Sequence, residues 1–131
     1  MKKQRGDPLE PAIRARAMPA DTNPSGDIFG GWLLSHMDLA GEIAARRRAG
    51  KRVATVAVDA MEFHRPVKVG DVVSFYSTIE RVGTTSVSVR IMAEALHEES
   101  GETAAVTEGV FVYVALDVDG KPTAVDGKSG G

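Results

Sequence analysis

A chain of 131 residues with 43% hydrophobic content carries enough apolar side chain for one domain around one core. Its formal net charge of -2 argues against general attraction to nucleic acid or anionic membrane, and the lack of cysteine excludes disulfides, thiolate metal sites and a cysteine nucleophile. No apolar run approaches the roughly 20 residues that span a bilayer, and the opening MKKQRGDPLEP lacks the apolar centre of a secretory signal, so a reducing cytoplasm is the expected setting.

Residues 1–12, broken by Pro8 and Pro11, read as a flexible N-terminal segment, and a short strand follows over about Ile13 to Met18. The stretch Pro19-Ala-Asp-Thr-Asn-Pro-Ser-Gly26 continues neither helix nor strand, because its prolines and Gly26 interrupt both patterns. A helix is predicted over roughly Gly31 to Arg48. On it Trp32, Leu33, Met37, Leu39, Ala40, Ile43 and Ala44 cover a wide apolar arc, and Ser35, Asp38, Glu42 and Arg46 fill the remaining stripe. The basic run Arg46–Arg48 suits a helix C-terminus, and Gly50 ends it. So broad an arc predicts a helix enclosed by other structure.

After Gly50 the pattern is strand. Val53–Phe63 is rich in Val and Ala and stops at Arg65-Pro66; a turn over 66–71 leads into Val72–Arg81. Gly83-Thr84 turns the chain into Ser86–Leu96, where Val87, Val89, Ile91, Ala93 and Ala95 alternate with more polar neighbours. Residues 98–101 make the next turn, and the last strand is predicted through Gly109–Asp117. Such short connections imply an antiparallel meander. Residues 124–131 read as a disordered tail. The fold class is therefore α+β, with an antiparallel sheet of about five strands curled around one long helix.

The junction at residues 23–38 carries the candidate chemistry. Gly30 and Gly31 stand at the helix start, where their amides lack side-chain cover and the positive end of the helix dipole points outward. They either hold an oxyanion or simply allow close packing. Asp38 lies about 10 Å farther along the helix at roughly 1.5 Å per residue, either as a solvated acid or as a catalytic one. Asp27 sits where a helix cap or a secondary acid belongs. Asn23 suits an Asx turn or the positioning of substrate or water. His36, His64 and His97 show no ligand spacing, so no metal is expected. The segment Gly26–Gly31 lacks the Gly-Lys-Ser/Thr ending of a phosphate loop, and Ser35 has no Gly-x-Ser-x-Gly context.

Taken together, MPADTNPSGDIFGGWLLSHMDLAG, VATVAVDAMEFHRPVKVGDVV, ERVGTTSVSV and VFVYVALDVDGKP resemble the hotdog-fold acyl-CoA thioesterases of the bacterial YciA type, over roughly residues 13–123. The resemblance implies hydrolysis of the acyl-coenzyme A thioester to a carboxylate and free coenzyme A, with no cofactor beyond the coenzyme A of the substrate. It further implies a homodimer paired edge to edge into one continuous sheet, active sites at the interface, and assembly into a trimer of dimers. On this chain the family's acid maps to Asp38, its glycine amides to Gly30 and Gly31, and its Asn-x-x-Gly stretch to Asn23 through Gly26. Coenzyme A contacts map to Arg65 and to the turn carrying Arg81, Gly83, Thr84 and Ser86. The chain departs from many wider hotdog thioesterases in having Phe29 where they have a histidine before the two glycines. A non-catalytic acyl-CoA binder on the same scaffold is the alternative reading; an acid near the thioester favours the enzyme, because binding alone does not require one.

Overall fold

Alternation of apolar and polar side chains along residues 72–115 builds most of the sheet, since a period of two places every second residue on one face. In the computed structural model, which describes residues 10–127, the elements are β1 (Ile13–Arg16), α1 (Gly30–Ala49), β2 (Val53–Phe63), β3 (Val72–Val82), β4 (Ser86–His97) and β5 (Glu102–Ala115). They form one five-stranded antiparallel sheet in the order β1-β3-β4-β5-β2. Along β4 the alternation is complete: Val87, Val89, Ile91, Ala93 and Ala95 are all buried. This is the α+β architecture expected from the sequence, a single helix against an antiparallel sheet.

The last strand begins at Glu102 rather than near Gly109, the one sizeable shift from the predicted elements. Its polar first half has no apolar run to betray it, yet Glu102 through Thr107 pair with β4 from His97 back to Ala93. β2 precedes β3 in sequence but lies at the opposite edge, beyond β5, so the segment 64–71 carries the chain across the end of the sheet.

The helix packs on the sheet through Leu33, Met37, Ala40, Gly41, Ala45 and Ala49, a stripe that recurs every three or four residues with Ala40 and Gly41 side by side at its centre. Four of these six are Ala or Gly, which lets the backbone come close. Gly41 is required at its place: a Cβ there would collide with the Tyr113 hydroxyl and lie 2.9 Å from Ile91 Cδ1. Tyr113, Phe75, Phe111, Met37 and Ile91 are the largest fully buried side chains, and each such burial contributes about 1.5–3 kcal/mol. The buried arc is narrower than the sequence pattern suggested. Leu39 is 51% exposed and Leu34 37%, so part of the apolar surface of α1 is left uncovered by its own sheet.

Residues 124–127, expected to be disordered, are docked instead. Val125 is buried, and its amide donates to the Thr84 carbonyl at 2.8 Å. Lys51 Nζ donates to the carbonyls of Ala124 and Val125, and Arg48 pairs with Asp126 at 2.8 Å. A single apolar side chain with a nearby slot thus fixes a segment whose composition reads as tail. Residues 128–131 lie outside the described residues, as do 1–9 of the expected flexible segment. Ala12 already belongs to the body, its amide bonded to the Phe75 carbonyl at 2.8 Å.

Replacing Gly41 with Ala sets a helix-propensity gain of about 1 kcal/mol against an overpacking cost of about 1–3 kcal/mol. Because Tyr113 is fully buried and cannot swing away, the clash should dominate. Gly41→Ala is expected to lower the free energy of urea unfolding; an unchanged or higher midpoint would show that Tyr113 yields. At the far end of the sheet, His97 Nδ1 meets the nearly buried Asp71 Oδ1 at 3.1 Å. That hydrogen bond raises the His97 pKa above its ordinary 6.5, against a smaller opposing effect of desolvation. A raised folded-state pKa stabilises fully below the unfolded value and loses that contribution as pH rises through the folded one. An NMR titration should therefore place the His97 midpoint above 6.5, and Asp71→Asn should bring it back down.

Candidate functional site

The loop before α1 is held mainly by hydrogen bonds within itself, with Ile28 alone buried in the core. Asn23 Oδ1 accepts from the amides of Ser25 (2.9 Å) and Asp27 (3.1 Å), an Asx turn closed by the Asn23 amide on the Asp27 carbonyl at 2.7 Å. Gly26 takes φ +90 within it, a conformation that favours glycine. Asp21 accepts from the Met18 amide, and the Phe29 amide reaches back to the Asp21 carbonyl. The Ile28 amide donates to the Val67 carbonyl at 3.0 Å, fixing the loop against the crossover segment.

This loop delivers the chain into α1 with no side chain capping it. Phe29 occupies the cap position with no side-chain hydrogen bond, and no acid stands in the first turn. Asp27, expected as a cap or secondary acid, does not cap. Its Oδ1 instead accepts from Lys68 Nζ at 2.5 Å. Gly30 and Gly31 are exposed, and among the described residues neither amide has a protein acceptor. A Cβ on Gly31 would meet nothing within 4 Å, and one on Gly30 would touch only the Phe63 ring at 3.7 Å. These glycines therefore face open space, which sets aside packing as the reason for Gly31. Behind them the first turn is braced by rings: Trp32 and His36 have centroids 4.4 Å apart, and His36 stacks on Phe75 at 5.4 Å.

Asp38 projects from the middle of α1 toward β2. Its Oδ1 accepts from Thr55 Oγ1 at 2.6 Å, a short bond typical of a charged acceptor. Its backbone carbonyl accepts from the Tyr113 hydroxyl at 2.7 Å, and two residues on, the Ala40 carbonyl accepts from Ser77 Oγ at 2.9 Å. Burial, more than the neighbouring Asp38 charge, pushes the Tyr113 pKa far above its ordinary value, so the phenol stays a neutral donor. Two sheet hydroxyls thus hold the helix backbone where Asp38 sits. Thr55 was not among the residues singled out from the sequence. Its signal is slight: one hydroxyl in the apolar run Val53-Ala-Thr-Val-Ala-Val58.

Thr55 lies near one end of β2 and Phe63, against Gly30, at the other. Asp38 and the glycine amides consequently stand apart within one chain, as the helix spacing requires. β2 is the edge of the sheet, hydrogen-bonded to β5 alone. Residues 55–60 are all exposed, with Val56 58% and Val58 43% exposed, and Phe63 55%. Near its end the strand bulges at Ala60, which takes φ +48, a strained setting for a residue with a Cβ. Gly109 opposite leaves the needed room, since a Cβ there would sit 2.7 Å from Met61 Sδ.

The expected coenzyme A contacts fall into two places. Arg65 lines an open groove of about 650 Å³ with Lys68, Asp71 and His97, at the end of the sheet where α1 begins. Gly83 and Thr84 in the β3–β4 turn, with Arg81 and Ser86 on the strand ends that flank it, lie at the opposite end, where the Gly83 amide donates to the Ser86 carbonyl at 2.8 Å. One protomer does not bring them together. The groove also lies away from Asp38.

Residues 25–102 match the thioesterase superfamily. The chain is 51% identical over 116 residues to the acyl-CoA thioester hydrolase YciA of Salmonella typhimurium, covering 86% of this chain and 87% of that one. Among solved structures it is similar to the hexameric thioesterase y2039 from Yersinia pestis, with a TM-score of 0.85, 45% identity, and coverage of 91% and 97%. It is also similar to the acyl-CoA hydrolase from Staphylococcus aureus in complex with butyryl coenzyme A, with a TM-score of 0.81, 30% identity, and coverage of 88% and 70%. That hydrolase has been solved with an aspartate and, 17 positions later, a threonine each replaced by alanine. With a helix start of free amides, a tethered aspartate and this likeness in sequence and architecture, the chain belongs to the hotdog thioesterases of the thioesterase superfamily.

Proposed function

We propose that this chain is an acyl-CoA thioester hydrolase whose catalytic centre is completed by pairing two copies along β2. The observation that carries the centre is the Thr55–Asp38 hydrogen bond beside an exposed edge strand. The same 17-residue interval separates the aspartate and threonine replaced in the Staphylococcus aureus hydrolase. An antiparallel two-fold pairing of β2 sets one copy's Thr55 end beside the other's Phe63 end. The acid of one subunit then faces the glycine amides of its partner. The same pairing brings Arg65 of one copy toward the β3–β4 turn of the other, uniting the two halves of the coenzyme A site.

The reaction needs few groups. The thiolate of coenzyme A, from a thiol of pKa about 8–9, leaves near neutral pH with little help from a general acid. The amides of Gly30 and Gly31 hold the oxyanion, each good donor contributing about 3 kcal/mol. Thr55 occupies Asp38 Oδ1 and leaves Oδ2 directed at the substrate. That oxygen either takes a proton from the attacking water or attacks the carbonyl to give an anhydride that water then opens. Both routes break the carbon–sulfur bond and, in sum, add water across it, giving a carboxylate and free coenzyme A. Asn23, its carbonyl oxygen spent on the Asx turn, positions the loop and presents its amide nitrogen to water or substrate. No cofactor enters this scheme; coenzyme A is part of the substrate.

Assembly follows from the uncovered apolar surface. Val56 and Val58 on the edge strand and Leu39 on the helix are the surface a second copy would cover. We further place the dimers in a trimer of dimers, supported by the hexameric assembly of the Yersinia pestis thioesterase. Partners beyond acyl-CoA and the chain itself, nucleic acid and membrane included, are not part of the proposal. No helix among the described residues is long and apolar enough to cross a membrane. A cytoplasmic setting belongs to the same reading, on the cysteine-free composition.

Purified protein incubated with a panel of acyl-CoAs and a thiol-detecting dye should release coenzyme A; no release at any chain length would leave only the acyl-CoA binder. Asp38→Asn should keep the fold and acyl-CoA binding while lowering turnover at least ~100-fold, the low end for a positioned acid–base group. Thr55→Ala should lower turnover by roughly 10-fold or more, matching a hydrogen bond to a charged group. Near-normal turnover in the Asn variant removes Asp38 from the mechanism. Val58→Lys should yield a monomer in sedimentation that releases no thiol, and a fully active monomer would contradict the shared site.

A further inference from the structure

On the exposed side of the β2–β5 pair, Glu62 and Glu108 stand directly opposite each other in register. Like charges so placed destabilise a sheet, and here a third group joins them. His64 Nε2 lies 3.5 Å from Glu108 Oε2 and 3.8 Å from Glu62 Oε1. Both separations are too long for good hydrogen bonds. They do approach the ligand–ligand edges of a zinc tetrahedron, about 3.3–3.4 Å for bonds of about 2.0–2.1 Å. One ligand atom from each of the three lies within 4.8 Å of the others.

The backbone that carries these groups is fixed. The His64 amide donates to the Val106 carbonyl at 2.7 Å, and Thr107 Oγ1 donates to the Glu62 carbonyl at 2.5 Å. Arg90, already paired with Glu80, approaches the other oxygen of Glu108 at 3.7 Å. Arg90 thus stands beside Oε1 while Oε2 lies toward His64, as an outer-shell partner of a metal-ligating carboxylate would. Chain order hides the arrangement, because Glu108 comes from a different strand than Glu62 and His64, and the histidines alone show no ligand spacing.

We propose that Glu62, His64 and Glu108 bind a divalent transition metal, Zn²⁺ above all, with water completing its coordination. One imidazole nitrogen with two carboxylates suits zinc better than Mg²⁺ or Ca²⁺, which prefer all-oxygen ligands. The ion ties the end of β2 to β5 next to Phe63, whose ring borders Gly30. The site is separate from the thioesterase centre and does not depend on that assignment.

Isothermal titration of the full-length, tag-free protein with ZnCl₂ tests it, with MgCl₂ as comparator. Wild type should take up one Zn²⁺ per chain saturably and show a zinc-dependent rise in its thermal midpoint. His64→Gln and Glu108→Gln should each bind at least ~10-fold more weakly, as loss of groups that hold a metal predicts, and lose the thermal shift. His97→Gln should behave as wild type. Zinc heats no larger than dilution, or equal binding by wild type and His64→Gln, would overturn the proposal.

Discussion

The position of Asp38 rests on two hydroxyls that reach from the sheet to the helix backbone. Tyr113 and Ser77 donate to the carbonyls of Asp38 and Ala40, which already lie within the helical ladder. Such bonds are individually worth only about 0.5–1.5 kcal/mol. Their effect here is geometric: they set the height and rotation of α1 on the sheet. Gly41 is part of the same arrangement, because any side chain there would push Tyr113 off its acceptor. With the backbone so held, one further bond from Thr55 is enough to orient the carboxylate.

Thr55 also connects this geometry to the edge of the sheet. An eleven-residue edge strand with exposed valines is normally a hazard, blunted in monomeric proteins by charges or bulges. Here the central residues 55–58 are Thr-Val-Ala-Val, with no charge before Asp59; the register with β5 shifts once at Val56 and again after Asp59, at Ala60. That stretch is exposed and uncharged beside Asp38, as the proposed pairing of two copies requires. The uncovered Leu39 on the helix follows the same logic, and the broad apolar arc of α1 becomes intelligible once a second copy is considered.

Much of this was legible in the linear sequence, and the misses have definable causes. The helix, its glycine start and its glycine end were readable because periodicity and capping chemistry are local. β4 was readable because both its alternation and its bounding turns are local. The first half of β5 was not, since Glu102–Thr107 is polar enough to pass for a loop and is a strand only because β4 pairs with it. The docking of Val125 likewise depends on a slot formed by distant residues, with Lys51 and Thr84 supplying the hydrogen bonds. Thr55 escaped notice for the same reason: its importance lies in a contact between helix and strand, and nothing in its neighbours announces it. Asp27 shows the reverse error, a cap by position that a lysine 41 residues away turns into an ion-pair partner.

That ion pair bears on how the chain manages without a histidine before its glycines. The positive end of α1 is strongest when nothing nearby neutralises it, and an acid in or before the first turn would do so. The first turn carries none, and the nearest acid, Asp27, has its charge engaged by Lys68. Phe29 adds neither donor nor charge at the cap. In the proposed mechanism the amides of Gly30 and Gly31 meet an incoming carbonyl oxygen with the helix dipole intact, with open space at Gly31 and only the Phe63 ring beside Gly30. For an oxygen ester, whose alkoxide leaves poorly, the missing histidine would remove a needed acid. For a thioester the leaving group is already a stable anion, so stabilising the oxyanion is the larger requirement, and a bare helix start is suited to meet it.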